Sequence, residues 1–206
     1  MTSTLIHLIR HGEVHNPQKI LYGRLPRFGL SANGRRQAQE TATHLSRQPL
    51  AAIFSSPLLR ARQTAAAILA FHPRIKLRIT QALNEVHTVY EGVPGEQLDR
   101  KRGDIYTGIP PEFEQPEDIF RRVHAFFQRA RRRFEGKQIA AVSHGDVIVF
   151  TVLWAKSWEL TPLNKTRLRQ AGYAAGYPAH ASVTTLIFTT TDEEERPEVE
   201  YLQPWK

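Results

Sequence analysis

The chain has 206 residues, no cysteine and a formal net charge of +8. The lack of cysteine excludes disulfides, thiolate zinc sites and catalysis by a cysteine nucleophile. The 28 basic residues outnumber the 20 acidic ones and favour anionic partners. They are scattered apart from a basic run at 129–134, and no zinc-finger, RNP or basic-zipper motif accompanies them, so we expect no nucleic-acid partner.

Length and hydropathy narrow the class of protein further. A chain of this size can bury a proper core as one domain, which we place at 1–206. No apolar stretch approaches the roughly 18 residues that cross a bilayer, and the N-terminus lacks the features of a signal peptide. We therefore expect a cytoplasmic protein with no membrane partner.

The first half of the chain alternates strands with helices. An apolar run at 4–9 predicts the first strand, and Ser31 is the predicted N-cap of a helix that ends near residue 46. A second strand is predicted at 50–56. The following helix is expected to begin with Ser56 as N-cap and Pro57 at its first position.

The second half continues the alternation. Strands are predicted at 75–80 and 137–146, helices at 116–134 and 147–158, and two strands joined by a charged turn at 181–205. This order predicts an α/β fold, a three-layer sandwich with a largely parallel central sheet flanked by helices. The Gly- and Pro-rich stretch 88–116 is too long for a connector and is interpreted as an insertion or lid with room for one short helix.

Polar side chains follow three of the predicted strands. Ligands of parallel sheets bind beyond the carboxyl ends of the strands, so these side chains are expected to meet. Guanidinium groups bind phosphate oxygens in pairs, which predicts a site for an anionic ligand. The residues concerned are Arg10, His11 and Glu13 after the first strand, Arg60 and Arg62 after the second, and His144 at the end of the fourth.

This set of side chains suits phosphoryl transfer. That chemistry needs a nucleophile, groups that stabilise charge on the phosphate, and a proton for the leaving oxygen. In a chain without cysteine a histidine is a credible nucleophile, and arginines can neutralise the phosphate without a metal. The spacing alone does not decide between His11 and His144.

Four motifs together carry a family resemblance. "LIRHGE", "FSSPLLRARQTA", "LNEVHTVYEG" and "VSHGD" occur in this order along the chain. They resemble the motifs of the histidine phosphatase superfamily, the phosphoglycerate mutase-like proteins, over roughly residues 4 to 190. Each motif alone is moderately specific for this family, and the four together in this order are strongly specific for it.

The resemblance implies roles for five residues. His11 would form a transient phosphohistidine, Arg10, Arg60 and His144 would complete the phosphate pocket, and Glu85 would donate the proton. Glu91 is the alternative acid, Arg62 is the alternative pocket arginine, and Glu13 is interpreted as a local hydrogen-bonding residue. No metal and no cofactor are implied.

The resemblance also suggests the surroundings of the phosphate. Substrate contacts are assigned to Asn16, Tyr22, Gly23, Arg24 and Gly145, whereas His15, His87 and His180 are expected to be bystanders. Asp146 stands where many mutases have glycine, which together with the short chain favours a phosphatase of a small phosphorylated metabolite over a mutase. A catalytically inactive phospho-ligand-binding module is the other alternative, and the oligomeric state stays open, with a homodimer among the options.

The proposed chemistry also predicts protonation states. His11 must be neutral to attack while His144 supplies positive charge, so the pKa values of the two histidines are expected to be pushed apart. Glu85 must be protonated when the leaving group departs, so its pKa is expected to be raised.

Overall fold

A computed structural model describes residues 3–101 and 103–205. Within them a six-stranded sheet has the order β3-β2-β4-β1-β5-β6. The first four of these strands are parallel, whereas β5 is antiparallel to both β1 and β6, so the largely parallel sheet is confirmed. The strands are β1 (Thr4–Arg10), β2 (Leu50–Ser55), β3 (Leu77–Ile79), β4 (Gln138–Ser143), β5 (Val183–Phe188) and β6 (Glu198–Leu202).

Helices cover both faces of the sheet because successive strand residues point to opposite sides. Ile9, Ile53 and Val142 pack with the small residues of α1 and α2, whereas Leu8 and Ala141 belong to the core that includes α4 and α5. The three-layer prediction is therefore confirmed. The helices are α1 (Ala32–Leu45), α2 (Leu59–Ala70), α3 (Gly95–Arg100), α4 (Pro116–Arg133) and α5 (Gly145–Ala155), with 3₁₀ segments at Gln81–Leu83 and Leu163–Ala171.

The two predicted helix caps have different outcomes. Ser31 caps α1 as expected, its side chain accepting a hydrogen bond from the Gly34 N–H. The prediction for α2 is wrong, because Leu58 is its N-cap and no side chain caps it. The Ser56 hydroxyl lies 2.7 Å from His144 Nε2 and reaches the Leu58 N–H only at 3.4 Å. Its bond to His144 draws the hydroxyl away from the helix end.

Several boundaries differ from the predictions. β4 ends at Ser143 and α5 already begins at Gly145, because the chain turns at His144, the N-cap of α5. β3 spans three residues rather than six. The 3₁₀ segment at 163–171 was not predicted, since its sequence has no helical or strand periodicity. None of the described helices is long and apolar enough to cross a membrane.

The stretch 88–116 contains one short helix, α3, as expected. Leu98, Ile105 and Tyr106 are buried and belong to the same core cluster as α4 and α5. Pro94 also forms a bridge with Ile20. The stretch is therefore packed against the body of the protein, and its role as a lid stays a prediction.

Candidate active site

The neighbouring strands β1 and β4 bring two histidines together at their carboxyl ends. The His11 N–H donates to the Ser143 carbonyl at 3.0 Å, and the His11 carbonyl accepts from the Ala181 N–H at 3.0 Å. The rings of His11 and His144 are 5.2 Å apart between centroids, and both side chains are buried. The backbone therefore fixes His11 from both sides.

A hydrogen bond sets the tautomer of His11. Its Nδ1 lies 2.8 Å from the Gly12 carbonyl oxygen, which can only accept, so Nδ1 carries the proton and Nε2 keeps its lone pair. Burial, Arg60 and Arg10 lower the pKa of the ring well below its ordinary value. His11 is therefore a neutral imidazole whose Nε2 carries no proton.

Arg60 links the groups of the site. It lies in the first turn of α2, is fully buried, and donates from Nε to His11 Nε2 at 3.2 Å and from its terminal nitrogen to the Gly23 carbonyl at 2.7 Å. The same terminal nitrogen lies 3.2 Å from His144 Nδ1. Arg62, two residues further along the helix, is exposed. The structure thus brings Arg60, and not Arg62, to the two histidines.

His144 is neutral, contrary to the prediction. Its Nδ1 accepts from Arg60, and its Nε2 donates to the Ser56 hydroxyl at 2.7 Å. Burial and Arg60 lower its pKa well below the ordinary value, as they do for His11. The two histidine pKa values therefore move in the same direction, and the expectation that His144 supplies positive charge is wrong. The guanidinium groups of Arg10 and Arg60 carry that charge instead.

Arg10 has an N–H group for which the described residues provide no hydrogen-bond acceptor. One terminal nitrogen donates to the Pro178 carbonyl at 2.6 Å, and the guanidinium lies 5.0 Å from the centre of the Tyr177 ring. Its Nε is buried and has no hydrogen-bond partner among the described residues. Buried polar groups are nearly always bonded, so this N–H indicates a place for an acceptor such as a phosphate oxygen.

Glu85 follows the 3₁₀ segment at 81–83, and its side chain lies close to His144 and Arg60. One carboxyl oxygen lies 3.5 Å from His144 Nδ1 and 3.7 Å from the Arg60 guanidinium, and the other accepts from the Val86 N–H at 3.0 Å. Burial raises its pKa, and Arg60 opposes that rise. A carboxyl with a raised pKa can hold a proton at mildly acidic pH, as the prediction for Glu85 required.

A pair of arginines holds Glu85 in place. Arg24 and Arg122 donate to the Glu85 carbonyl at 2.8 and 3.2 Å, and each also pairs with Glu114 at 2.8 Å. The structure therefore places the Arg24 guanidinium beside the Glu85 backbone. The sequence did not indicate Arg122 and Glu114, because both lie far from Glu85 in the chain and no local pattern connects them to it.

Comparison with known proteins identifies the family of this chain. Residues 6–182 match the model of the histidine phosphatase superfamily, branch 1. The chain belongs to this superfamily. The uncharacterized protein Rv0525 of Mycobacterium tuberculosis is 35% identical over 208 residues, which cover 98% of this chain and 96% of that protein. Phosphoglycerate mutase-like protein 4 of Arabidopsis thaliana is 30% identical over 155 residues, which cover 69% and 67%.

Solved structures of the superfamily share the fold. The mycobacterial glucosyl-3-phosphoglycerate phosphatase Rv2419c superimposes with a TM-score of 0.79 at 22% identity, over 98% of this chain and 99% of that one. The phosphoserine phosphatase of Entamoeba histolytica, solved with 3-phosphoglyceric acid, gives 0.73 at 25% identity over 96% of each chain. The phosphoglycerate mutase-like architecture is therefore confirmed.

Two of the remaining assigned residues of this superfamily member, Tyr22 and Gly23, lie beside Arg60. The Tyr22 ring centre lies 4.7 Å from the Arg60 guanidinium and 6.3 Å from the His11 ring, and Gly23 offers its carbonyl to Arg60. Asn16 uses its amide on the Ile20 backbone, donating to the carbonyl at 2.8 Å and accepting from the N–H at 3.3 Å. The structure thus places Tyr22 and Gly23 beside Arg60, and shows Asn16 bonded to the backbone of its own loop.

The alternative carboxylates have other partners. Glu91 accepts from the Arg24 N–H at 2.5 Å. Glu13 accepts from the side chains of Ser31 and Asn33, which lower its pKa, so its local hydrogen-bonding role is confirmed. His180, expected to be a bystander, lies 5.8 Å from the His11 ring, and burial lowers its pKa to about 3.

Gly145 is the first residue of α5 and lies against the Tyr177 side chain. A Cβ at this position would lie 2.1 Å from the Tyr177 hydroxyl oxygen, so any larger residue would force the Tyr177 side chain to move. We expect Gly145→Ala to lower the free energy of unfolding by about 1–3 kcal/mol, the usual cost of overpacking, as measured by urea denaturation. In a Tyr177→Ala background the same change should cost little. An unchanged urea midpoint for Gly145→Ala alone would contradict this packing.

One group of the described side chains also has the spacing of a metal site. Ligand atoms of His11, Glu85 and His144 all lie within 4.8 Å of one another. Arg60 donates to a ring nitrogen of each histidine, so a bound cation would have to displace a buried guanidinium and lie beside its charge. The donor set therefore fits an anion better than a metal ion.

Proposed function

We propose that this protein is a metal-independent phosphatase that hydrolyses a small phosphomonoester through a phosphohistidine intermediate. The observation that carries the proposal is the state of His11, a buried neutral imidazole whose Nε2 lone pair faces the Arg60 guanidinium. A nucleophile needs an unprotonated nitrogen such as this one, and an anionic phosphate needs the positive group beside it, whose N–H groups would turn from Nε2 to the phosphate oxygens.

In the first step the phosphoryl group binds to Arg10 and Arg60. His11 Nε2 attacks phosphorus while the bond to the ester oxygen breaks, and Glu85 gives its proton to that oxygen so that the alcohol leaves neutral. The arginines balance the charge that spreads over the phosphoryl oxygens. Because the ring is neutral before attack, its conversion to a phosphoimidazolium adds a positive charge that the phosphate offsets.

In the second step water attacks the phosphohistidine. Glu85, now a carboxylate, takes a proton from the water, the N–P bond breaks, and inorganic phosphate leaves. The electron pair returns to Nε2 and the proton returns to Glu85, so the cycle closes. The phosphatases among the structural neighbours support hydrolysis, and a cytoplasmic metabolite as the substrate belongs to the same proposal.

An assay with a chromogenic aryl phosphate in the presence of EDTA tests the function. We expect phosphate release at the same rate with and without the chelator, because arginines and not a metal ion balance the substrate charge. Loss of turnover in EDTA would indicate a metal enzyme. The absence of turnover at every pH would favour a phospho-ligand-binding module.

A product assay separates the phosphatase from a mutase. Phosphorylated metabolites are incubated with and without a bisphosphorylated primer, and free phosphate and isomerised ester are both measured. We expect free phosphate under both conditions. Isomerised ester as the main product would favour a mutase, the activity in the name of a probable phosphoglycerate mutase of Escherichia coli that is 27% identical over 166 residues.

A further inference from the structure

A cavity of about 220 Å³ lies beside Glu85. In the proposed function, on which this inference rests, Glu85 protonates the leaving oxygen, so the group attached to that oxygen must lie next to Glu85. A larger cavity of about 840 Å³ is lined by Thr4, Gly136 and Thr189 and includes none of the reactive groups. The smaller cavity is therefore the place for the alcohol part of the substrate.

The walls of this cavity are mostly apolar. Leu21, Val86, Leu98 and Ile105 line it, and three of the four come from the chain between Glu85 and residue 105. Their side chains are buried or half-buried and pack with the core under α4 and α5. A volume of this size holds roughly one ring with a few substituents, well below the 300–1,000 Å³ typical of drug-sized ligands.

Besides Glu85, the cavity is lined by two charged residues, Lys165 and Asp146, which neutralise each other. The Lys165 ammonium lies 2.9 Å from one oxygen of the Asp146 carboxylate, and both residues line the cavity. Asp146 also accepts from the hydroxyls of Tyr106 and Tyr177, the latter at 2.7 Å. Both tyrosine protons and the lysine charge are thus engaged by one carboxylate.

We infer that the leaving group is a compact, uncharged and largely apolar alcohol or phenol. A carboxylate on that group would lie near Asp146, and the one lysine that lines the cavity within the described residues is already paired with that aspartate. Burying an anion without a free partner costs several kcal/mol, whereas an apolar group gains from contact with the leucine and isoleucine side chains.

Two esters of equal shape test the inference. 3-Methylbutyl phosphate and 3-(phosphonooxy)propanoate are both esters of primary alcohols, and they differ by an isopropyl group in place of a carboxylate. We expect the wild-type protein to have at least about a tenfold higher kcat/KM for 3-methylbutyl phosphate, on the scale of one unfavourable polar burial. An equal or reversed preference would overturn the inference.

Asp146→Asn should change this preference in a definite direction. The single amide oxygen can still accept from one of the tyrosine hydroxyls, and the change leaves Lys165 without its counter-charge, so the ratio of the two kcat/KM values should move by at least about tenfold toward the carboxylate ester. The ratio cancels any change in the chemical step, because both esters use the same Glu85. Asp99→Asn removes an equal charge from the exposed face of α3 and should leave the ratio unchanged.

A binding measurement separates this inference from the proposed function. Titration calorimetry of the His11→Ala variant with the same two esters reports their relative affinity without turnover. Tighter binding of 3-methylbutyl phosphate supports the inference even if the wild-type protein hydrolyses neither ester, in which case only the proposed function fails. Equal or weaker binding of 3-methylbutyl phosphate, or no change of the ratio in Asp146→Asn, overturns the inference even if both esters are hydrolysed.

Discussion

Replacing His11 by alanine is expected to lower kcat for aryl phosphate hydrolysis by at least about 10⁴-fold, the scale on which loss of a nucleophile acts. The variant lacks the only atom that the proposal bonds to phosphorus, while Arg10, Arg60 and Glu85 keep their positions. Steady-state kinetics on the purified variant gives the magnitude. The KM should change far less, because the arginines still bind the phosphate.

The control for this variant is His15→Ala. His15 is four residues away and exposed, so its loss should leave kcat within about twofold, as is usual for surface substitutions. Rapid quenching of the wild-type protein in alkaline denaturant during turnover should trap a base-stable, acid-labile phosphohistidine at residue 11. An adduct on His144 with none at His11 would reverse the assignment of the nucleophile.

Glu85→Gln is expected to lower kcat by about 10²–10⁴-fold, the range of general acid catalysis. The amide keeps the size of the side chain and can still accept from the Val86 N–H, but it cannot give a proton to the leaving oxygen. The loss should be larger for alkyl esters than for aryl esters with acidic phenols, because a good leaving group departs without a proton. Kinetics with a series of leaving groups measures this difference.

The pH profile provides a second readout for Glu85. Its pKa is raised by burial, so the carboxyl is protonated and competent below the raised pKa, and kcat falls as the pH rises through it. His11 has a pKa well below its ordinary value and stays neutral down to low pH, so its acid limb lies far below 6.5. We expect a profile highest in the acidic range, with a basic limb that disappears in Glu85→Gln.

Glu91→Gln is the matched control for the general acid. The glutamine oxygen can still accept the hydrogen bond from the Arg24 N–H, so this variant should keep the basic limb and most of kcat. If Glu91→Gln removes the limb while Glu85→Gln retains it, the proton donor is Glu91.

Much of the fold could be predicted from local patterns. The apolar runs at β1, β2 and β4 have the length of buried strands, and Ser31 lies at an ordinary helix start, so the strand and helix order followed from them. The same strand ends indicated Arg10, His11 and His144 as neighbours, because parallel strands share one edge. The position of a residue next to a strand end can therefore be predicted from the sequence alone.

The missed features depend on contacts between distant segments. Ser56 had two hydrogen-bond options, a helix end and the ring of His144, and nothing near it in sequence decides between them. The neutral state of His144 follows from its burial and its distance to Arg60, which no pattern encodes. The support of Glu85 by Arg122 is likewise a contact between α4 and a loop 37 residues away.

The hydrogen bonds of His11 with Ser143 and Ala181 attach the proposed nucleophile to the middle of the sheet, whereas Leu98, Ile105 and Lys165 lie in segments outside the sheet. Amide exchange should accordingly be slowest at residue 11 and faster in those segments. Part of the cavity wall is thereby carried by stretches of the polypeptide that hold none of the proposed catalytic groups. Grafting 95–106 and 163–177 from a relative should retarget the enzyme while leaving its reaction intact.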